Sequence, residues 1–246
     1  LHEDSTLISG DFPYFARRYL QRGVLSPGCP VIYHNGASGD QSPRHVTQGN
    51  TFAEAQRLGE LLGATISEAI EGMTFVSEAR VRARRAWVDL VAREFPAKAD
   101  AELAREQARQ RYAELKQQGI SGPVLRTAEW DVFGAEETAE LAKAAADGQL
   151  AAVIGARSPA EIQLIEVGPW RYVGWPGEFF VEYSLMVKEV VANTFVITLA
   201  NGELQGYVVT AAAAVQRLYE ANNAVVAPEN GRRFVEATIE LVRGQR

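Results

Sequence analysis

Between His34 and Arg44 the chain reads His34-Asn35-Gly36-Ala37-Ser38-Gly39-Asp40-Gln41-Ser42-Pro43-Arg44. Asp40 and Ser42 stand two residues apart in a glycine-containing stretch. Gly36 and Gly39 permit positive φ and a close approach of backbone to a ligand. Pro43 confines Ser42 to extended geometry. Such a loop can offer a hydroxyl and backbone N–H groups to a reacting carbonyl, the arrangement acyl-transfer chemistry needs. The same residue types also make a plain turn in which Asp and Ser bond their own backbone. Residue types alone leave both readings open.

Other routes to chemistry are thinner. The chain has three histidines, His2, His34 and His45, and they do not fall in a His-x-Glu-x-x-His pattern. Cys29 is the single cysteine, so neither an intrachain disulfide nor a thiolate metal cluster is available. Beside Pro30 it reads as a partly buried small hydrophobe. No Gly-x-Ser-x-Gly nucleophile elbow occurs.

The elements that must hold the loop follow from periodicity. Residues 11–22 form a helix that Asp11 can cap and Gly23 ends. Val31-Ile32-Tyr33 is expected as a short strand leading into the loop. Thr51 with Glu54 makes a capping box, and Leu58, Leu61, Leu62, Ile66 and Ile70 keep helical spacing up to Gly72. Strand, glycine loop and helix together point to an α/β protein. Residues 75–93 read as strand, with Val81, Ala83, Arg85 and Trp87 on one face. Polar helices are expected at 99–118 and 135–146. They make a polar helical excursion at about 97–148 on the outside of the sheet. Strands return at 162–167 and 170–175 around the Gly168-Pro169 turn. Pro176-Gly177-Glu178 is expected to open a helix. Strands near 193–199 and 207–210 and a helix over 230–243 complete a single domain, a mixed sheet flanked by helices.

Composition limits the partners. Of 246 residues 47% are apolar, enough for a sizeable core, and the formal net charge is −6. A nucleic-acid footprint needs a basic patch, which this balance argues against. No apolar run reaches the roughly 20 residues of a transmembrane span. Leu1-His2-Glu3-Asp4-Ser5 has neither an initiator Met nor the basic and apolar regions of a targeting segment. It reads as the middle of a longer polypeptide, and nothing in it fixes a compartment.

Gly39-Asp40-Gln41-Ser42-Pro43 resembles the Gly-Asp-x-Ser-Pro motif of the neutral/alkaline ceramidases. The family pattern has Asn at the positions of Ala37 and Arg44. Leu7-Ile8-Ser9-Gly10-Asp11 resembles the family segment that follows a zinc-binding histidine. Trp175-Pro176-Gly177-Glu178-Phe179 is similar to the segment whose glutamate binds zinc. Leu199-Ala200-Asn201 through Tyr207-Val208-Val209-Thr210 is similar to the region of a tyrosine ligand. The segments keep the family order over nearly the whole chain, the polar helices excepted.

The resemblance implies the C-terminal part of a ceramidase-like catalytic domain, incomplete in this chain. It implies Ser42 and Asp40 as catalytic residues, Gly39 and His34 at the substrate, and Glu178 with Tyr207 as ligands of Zn²⁺. Glu203 is an alternative to Tyr207. Phe12, Tyr14 and Phe15 are candidates to line an acyl pocket. The family's two zinc histidines precede the segment where this chain starts, so an upstream polypeptide is expected to supply them. The implied activity is zinc-dependent hydrolysis of an N-acyl amide, a linear acyl-amide small molecule being the substrate. The rival expectation is a non-catalytic or regulatory subunit that keeps the fold.

Overall fold

Two glycines decide how the first helices meet. In α2 (Phe52–Glu71) a Cβ on Gly59 would stand 2.5 Å from the Phe12 carbonyl oxygen, and one on Gly63 would stand 2.8 Å from the Tyr19 ring. With glycine there, α1 (Asp11–Gly23) lies directly on α2. The Thr51 hydroxyl caps α2 by accepting the Glu54 N–H at 3.2 Å. The Glu54 carboxylate does not return to Thr51. It accepts from the Gln48 N–H at 2.8 Å and from Arg57. The computed structural model describes residues 1, 5–43, 46–216 and 219–244. His2, Arg44 and His45 therefore lie outside the described residues.

This helical pair belongs to a compact unit made of Leu1–His34 and Ser42–Ala79. Val31-Ile32-Tyr33 forms no strand there. Its β-prone residues find no ladder partner, since the described elements of the unit are helices.

The second unit comprises Asn35–Gln41 and Arg80–Arg246. Its strands are β1 (Val81–Val88), β2 (Ala160–Val167), β3 (Trp170–Gly174), β4 (Gly177–Phe179), β5 (Thr194–Ile197) and β6 (Leu204–Val208). A four-stranded mixed sheet runs β1-β2-β3-β5, antiparallel except for the β3–β5 pair. β4 and β6 form a separate parallel pair. The helices are α3 (Lys98–Gln117), α4 (Pro123–Ala146), α5 (Gln149–Arg157), α6 (Val181–Val190), α7 (Ala211–Gln216), α8 (Tyr219–Asn222) and α9 (Glu229–Arg243). The fold is thus α/β, with a mixed sheet flanked by helices.

Two expected boundaries move. α4 starts at Pro123, well ahead of the helix expected at 135–146, because proline lacks only an N–H that the first helical turn leaves unpaired anyway. Pro176-Gly177-Glu178 opens no helix: Gly177–Phe179 is strand β4, and α6 starts at Val181. Pairing with β6, distant in sequence, overrides the local helix signal.

The core lies between the inner face of the sheet and helices α6 and α9. Ile162, Leu164, Val173, Phe179, Val187 and Phe234 are wholly buried. The Trp175 ring lies 4.6 Å from Phe179, and its indole N–H donates to the Thr238 hydroxyl at 3.0 Å. Buried Asn230 is fully satisfied by the Val91 N–H and by the Val91 and Ala227 carbonyls. No helix among the described residues is long and apolar enough to cross a membrane.

Candidate active site

The site begins with the β4–β6 pair. Glu178 and Tyr207 occupy partner positions of the two parallel strands, so their side chains leave the same face side by side. Burial raises the Glu178 carboxyl above its ordinary range, and the neighbouring Tyr207 hydroxyl opposes the rise. Burial, followed by the Glu178 charge, pushes Tyr207 up to about 12. Tyr207 therefore keeps its proton at neutral pH.

A residue that sequence reasoning missed completes this corner. Gly206 sits at φ 73°, and a Cβ there would be 2.2 Å from the Asn223 carbonyl oxygen. Only glycine lets β6 approach the chain after α8 so closely. α8 then presents Tyr219 edge-on to Tyr207, ring centres 6.2 Å apart. Glu203, the alternative to Tyr207, turns elsewhere: its carbonyl and carboxylate take the Arg157 guanidinium at 3.0 and 3.4 Å.

The glycine loop is fastened to the same strand. The Gly39 N–H donates to the Phe179 carbonyl at 2.9 Å. A Cβ on Gly39 would stand 2.7 Å from the Glu178 carbonyl oxygen and 3.1 Å from the Phe179 backbone. One Asp40 carboxylate oxygen accepts the Val181 N–H at 2.8 Å. Phe180, the residue that precedes α6, has no side-chain acceptor, so Asp40 caps that helix from a distant loop. Upstream, Ala37 is buried in the core, and the Thr198 hydroxyl donates to the Gly36 carbonyl at 2.7 Å. The Gly39 amide is thus spent on the fold, as is that of Gln41, which donates to Ser38 at 3.0 Å.

Gly39, Asp40, Glu178 and Tyr207 accordingly share one part of the second unit. Ser42 and His34 belong to the first unit and are exposed. Tyr14 and Phe15 line an open groove of about 660 Å³ in that unit, together with Arg18, Tyr19, Arg22 and Glu60. Phe12 instead packs edge-on against Tyr33 at 5.9 Å.

Two solved structures share this architecture. The neutral ceramidase from Pseudomonas aeruginosa superimposes with a TM-score of 0.55 at 14% identity, over 98% of this chain and 42% of that one. The fold is ceramidase-like. A ceramidase complexed with C2 gives a TM-score of 0.56 at 14% identity, over 97% of this chain and 43% of that one. The chain spans less than half the length of either ceramidase. No family model and no curated protein matches the sequence.

Proposed function

We propose that this chain is the Glu178–Tyr207 part of a zinc-dependent amidohydrolase that cleaves a linear N-acyl amide. In this reading it works with an upstream polypeptide. The observation that carries the reading is the side-by-side pairing of Glu178 with Tyr207 on β4 and β6 of a ceramidase-like fold.

The donors suit the metal. A half-buried carboxylate is an oxygen ligand of the kind zinc accepts alongside imidazole, and the phenol on the partner strand adds a second oxygen beside it. A catalytic zinc needs more protein ligands than these two, and a position left for water. Among the described residues no group of three His, Cys, Asp or Glu side chains is gathered for a metal. The reading therefore assigns two histidines to the upstream polypeptide. Zinc there would supply polarisation of the acyl carbonyl and a water acidified to a pKa of about 7.

The remaining steps belong to this chain. Tyr207 holds its proton and orients the Glu178 carboxylate. Gly39 and Asp40 fasten the loop to β4 and to the start of α6, which makes Asp40 a positioning residue. On the motif that resembles the ceramidases, Ser42 is assigned as nucleophile or hydrogen-bond donor and His34 as a substrate contact.

One observation favours the rival, a non-catalytic or regulatory subunit: the Gly39 and Gln41 amides of the loop are already bonded within the fold. Expression of residues 1–246 alone and with the upstream polypeptide separates the two. Stoichiometric zinc and acyl-amide turnover are expected only in the second preparation. Active material free of zinc removes the mechanism, and an inactive, metal-free complete protein favours the rival.

A further inference from the structure

We infer that the groove between α4 and α8 is a binding site for an organic cation, an alkylammonium group carried by a small molecule. Its place as the amine end of a substrate rests on the reading above. The site itself does not, and it needs no zinc.

Along α4, Trp130, Phe133, Glu137 and Glu140 follow one another at intervals of three, four and three residues, so they share one stripe of the helix. Gly134 lies within that stripe, and a Cβ there would run into the Asn222 side chain. Glycine thus lets α8 sit close. The Arg93 guanidinium holds it there by donating to the Ala221, Asn222 and Ala224 carbonyls. Between the two helices lies a groove of about 300 Å³, lined by Trp130, Phe133, Tyr219, Asn223, Glu137 and Glu140, with Glu136 beside them. The rings meet steeply, Trp130 with Phe133 at 5.7 Å and 79°, and with Tyr219 at 4.9 Å and 69°. Rings set at angles around one space can offer electron-rich faces from several sides, the arrangement that holds an alkylated ammonium.

Charge selects the same ligand. The acids of α4 that meet α3 are paired, Glu136 with Arg109 and Asp131 with Arg111. Glu137 and Glu140 have no basic partner among the described residues. Three residues apart, they repel each other, and a bound cation relieves that cost. Arg126 lies over the Trp130 ring at 4.8 Å, but it is tied to Glu129 and does not line the groove. The Asn223 amide nitrogen donates to the Tyr219 carbonyl at 2.8 Å, which leaves its oxygen as an acceptor. Carboxylates alone, in open water, would choose no particular cation. The rings make the groove selective for one with apolar surface. Tyr219 also joins the groove to the candidate active site, since its ring meets Tyr207 at 6.2 Å.

The test uses the complete native gene product. Stripped of metal by a chelator, it is titrated calorimetrically with choline and with the neutral carbon isostere, tert-butylethanol. Choline is expected to bind about tenfold tighter, as a partly desolvated cation among aromatic rings does. Glu137 and Glu140 are exposed, so Glu137→Gln with Glu140→Gln leaves the core alone and should erase most of the preference. Trp130→Phe should reduce it further. No binding, equal binding of the two molecules, or a preference that survives all three substitutions overturns the site. The metal-replete protein then identifies the source of the cation. An acyl amide whose amine end carries trimethylammonium, turned over with about tenfold higher kcat/KM than its tert-butyl counterpart, makes the groove the substrate's amine subsite. Equal turnover with choline still bound supports the site and overturns its place as the amine end. Choline bound by a protein that turns over neither amide sinks the amidohydrolase reading and leaves the site standing.

Discussion

Glu178 and Tyr207 are register partners across the parallel β4–β6 pair, and burial with the Glu178 charge beside it pushes the tyrosine up to about 12. Neither side chain reaches this position by local structure. Phe179, wholly buried, anchors β4 from below, and Gly206 draws β6 towards α8. The pair is therefore placed by the core beneath β4 and by its pairing with β6.

From this follows the first prediction. In the complete protein, Glu178→Ala loses zinc while far-UV circular dichroism stays that of wild type. Tyr207→Phe weakens zinc retention as well, because it removes one oxygen donor and the proton that orients the other. Metal analysis after dialysis against a chelator provides the comparison. Unchanged occupancy in both variants removes the pair from the ligand set.

Ser42→Ala is expected to lower acyl-amide turnover by roughly 10²–10³, the usual cost of losing one catalytic donor. Ser42 is exposed, so melting temperature should not change. Steady-state rates on a panel of acyl amides give the answer, and a fully active variant rejects the role.

How far sequence carried the reading depended on the range of the forces involved. Strands β2 and β3, the turn at Gly168 and helices α2 and α9 were legible because alternation, turn residues and caps act over a few positions. Glu178 was singled out, but on a helix start, because Pro176-Gly177 is a helix signal locally and β4 exists only through β6. Val31-Ile32-Tyr33 failed the other way: its composition asks for a strand, and the described residues of its unit contain none to pair with. The capping role of Asp40 was invisible, since Val181 lies 141 residues away. Tyr219 gave no signal at all, because its place beside Tyr207 depends on how closely Gly206 lets two segments approach.

Glu54 offers a test by pH. Arg57 first, and then the Gln48 N–H, hold its carboxyl down at about 2, against an ordinary 4.5. A carboxyl whose pKa is lowered by folding stabilises the fold above its unfolded value, and that contribution is lost as pH falls through the folded value. The melting-temperature difference between wild type and Glu54→Gln should therefore be constant above about pH 5 and shrink between 4.5 and 2. A difference unchanged at about pH 2.5, near the lower end of that window, would contradict the assignment.

The last prediction concerns the fastening of the loop to β4. Gly39→Ala would bring a methyl group to 2.7 Å from the Glu178 carbonyl oxygen and 3.1 Å from that of Phe179. Both obstacles are backbone, within a strand whose next residue is core, so neither can yield cheaply. The loop must lift instead, at the cost of the Gly39–Phe179 hydrogen bond and the Asp40 cap on Val181. Overpacking of this kind costs about 1–3 kcal/mol. Asp40→Ala removes the cap alone and should cost about 0.5–2 kcal/mol, whereas Asn at the same place retains an oxygen acceptor and most of the stability. Urea unfolding of the complete protein ranks the three: Asp40→Asn nearest wild type, then Asp40→Ala, then Gly39→Ala. Activity supplies the readout that a purely structural role would leave alone. If Asp40 only positions the loop, Asp40→Asn keeps the pH–rate profile of wild type and loses little kcat. A displaced profile in a variant of unchanged stability would make Asp40 a participant in proton transfer and overturn the positioning role.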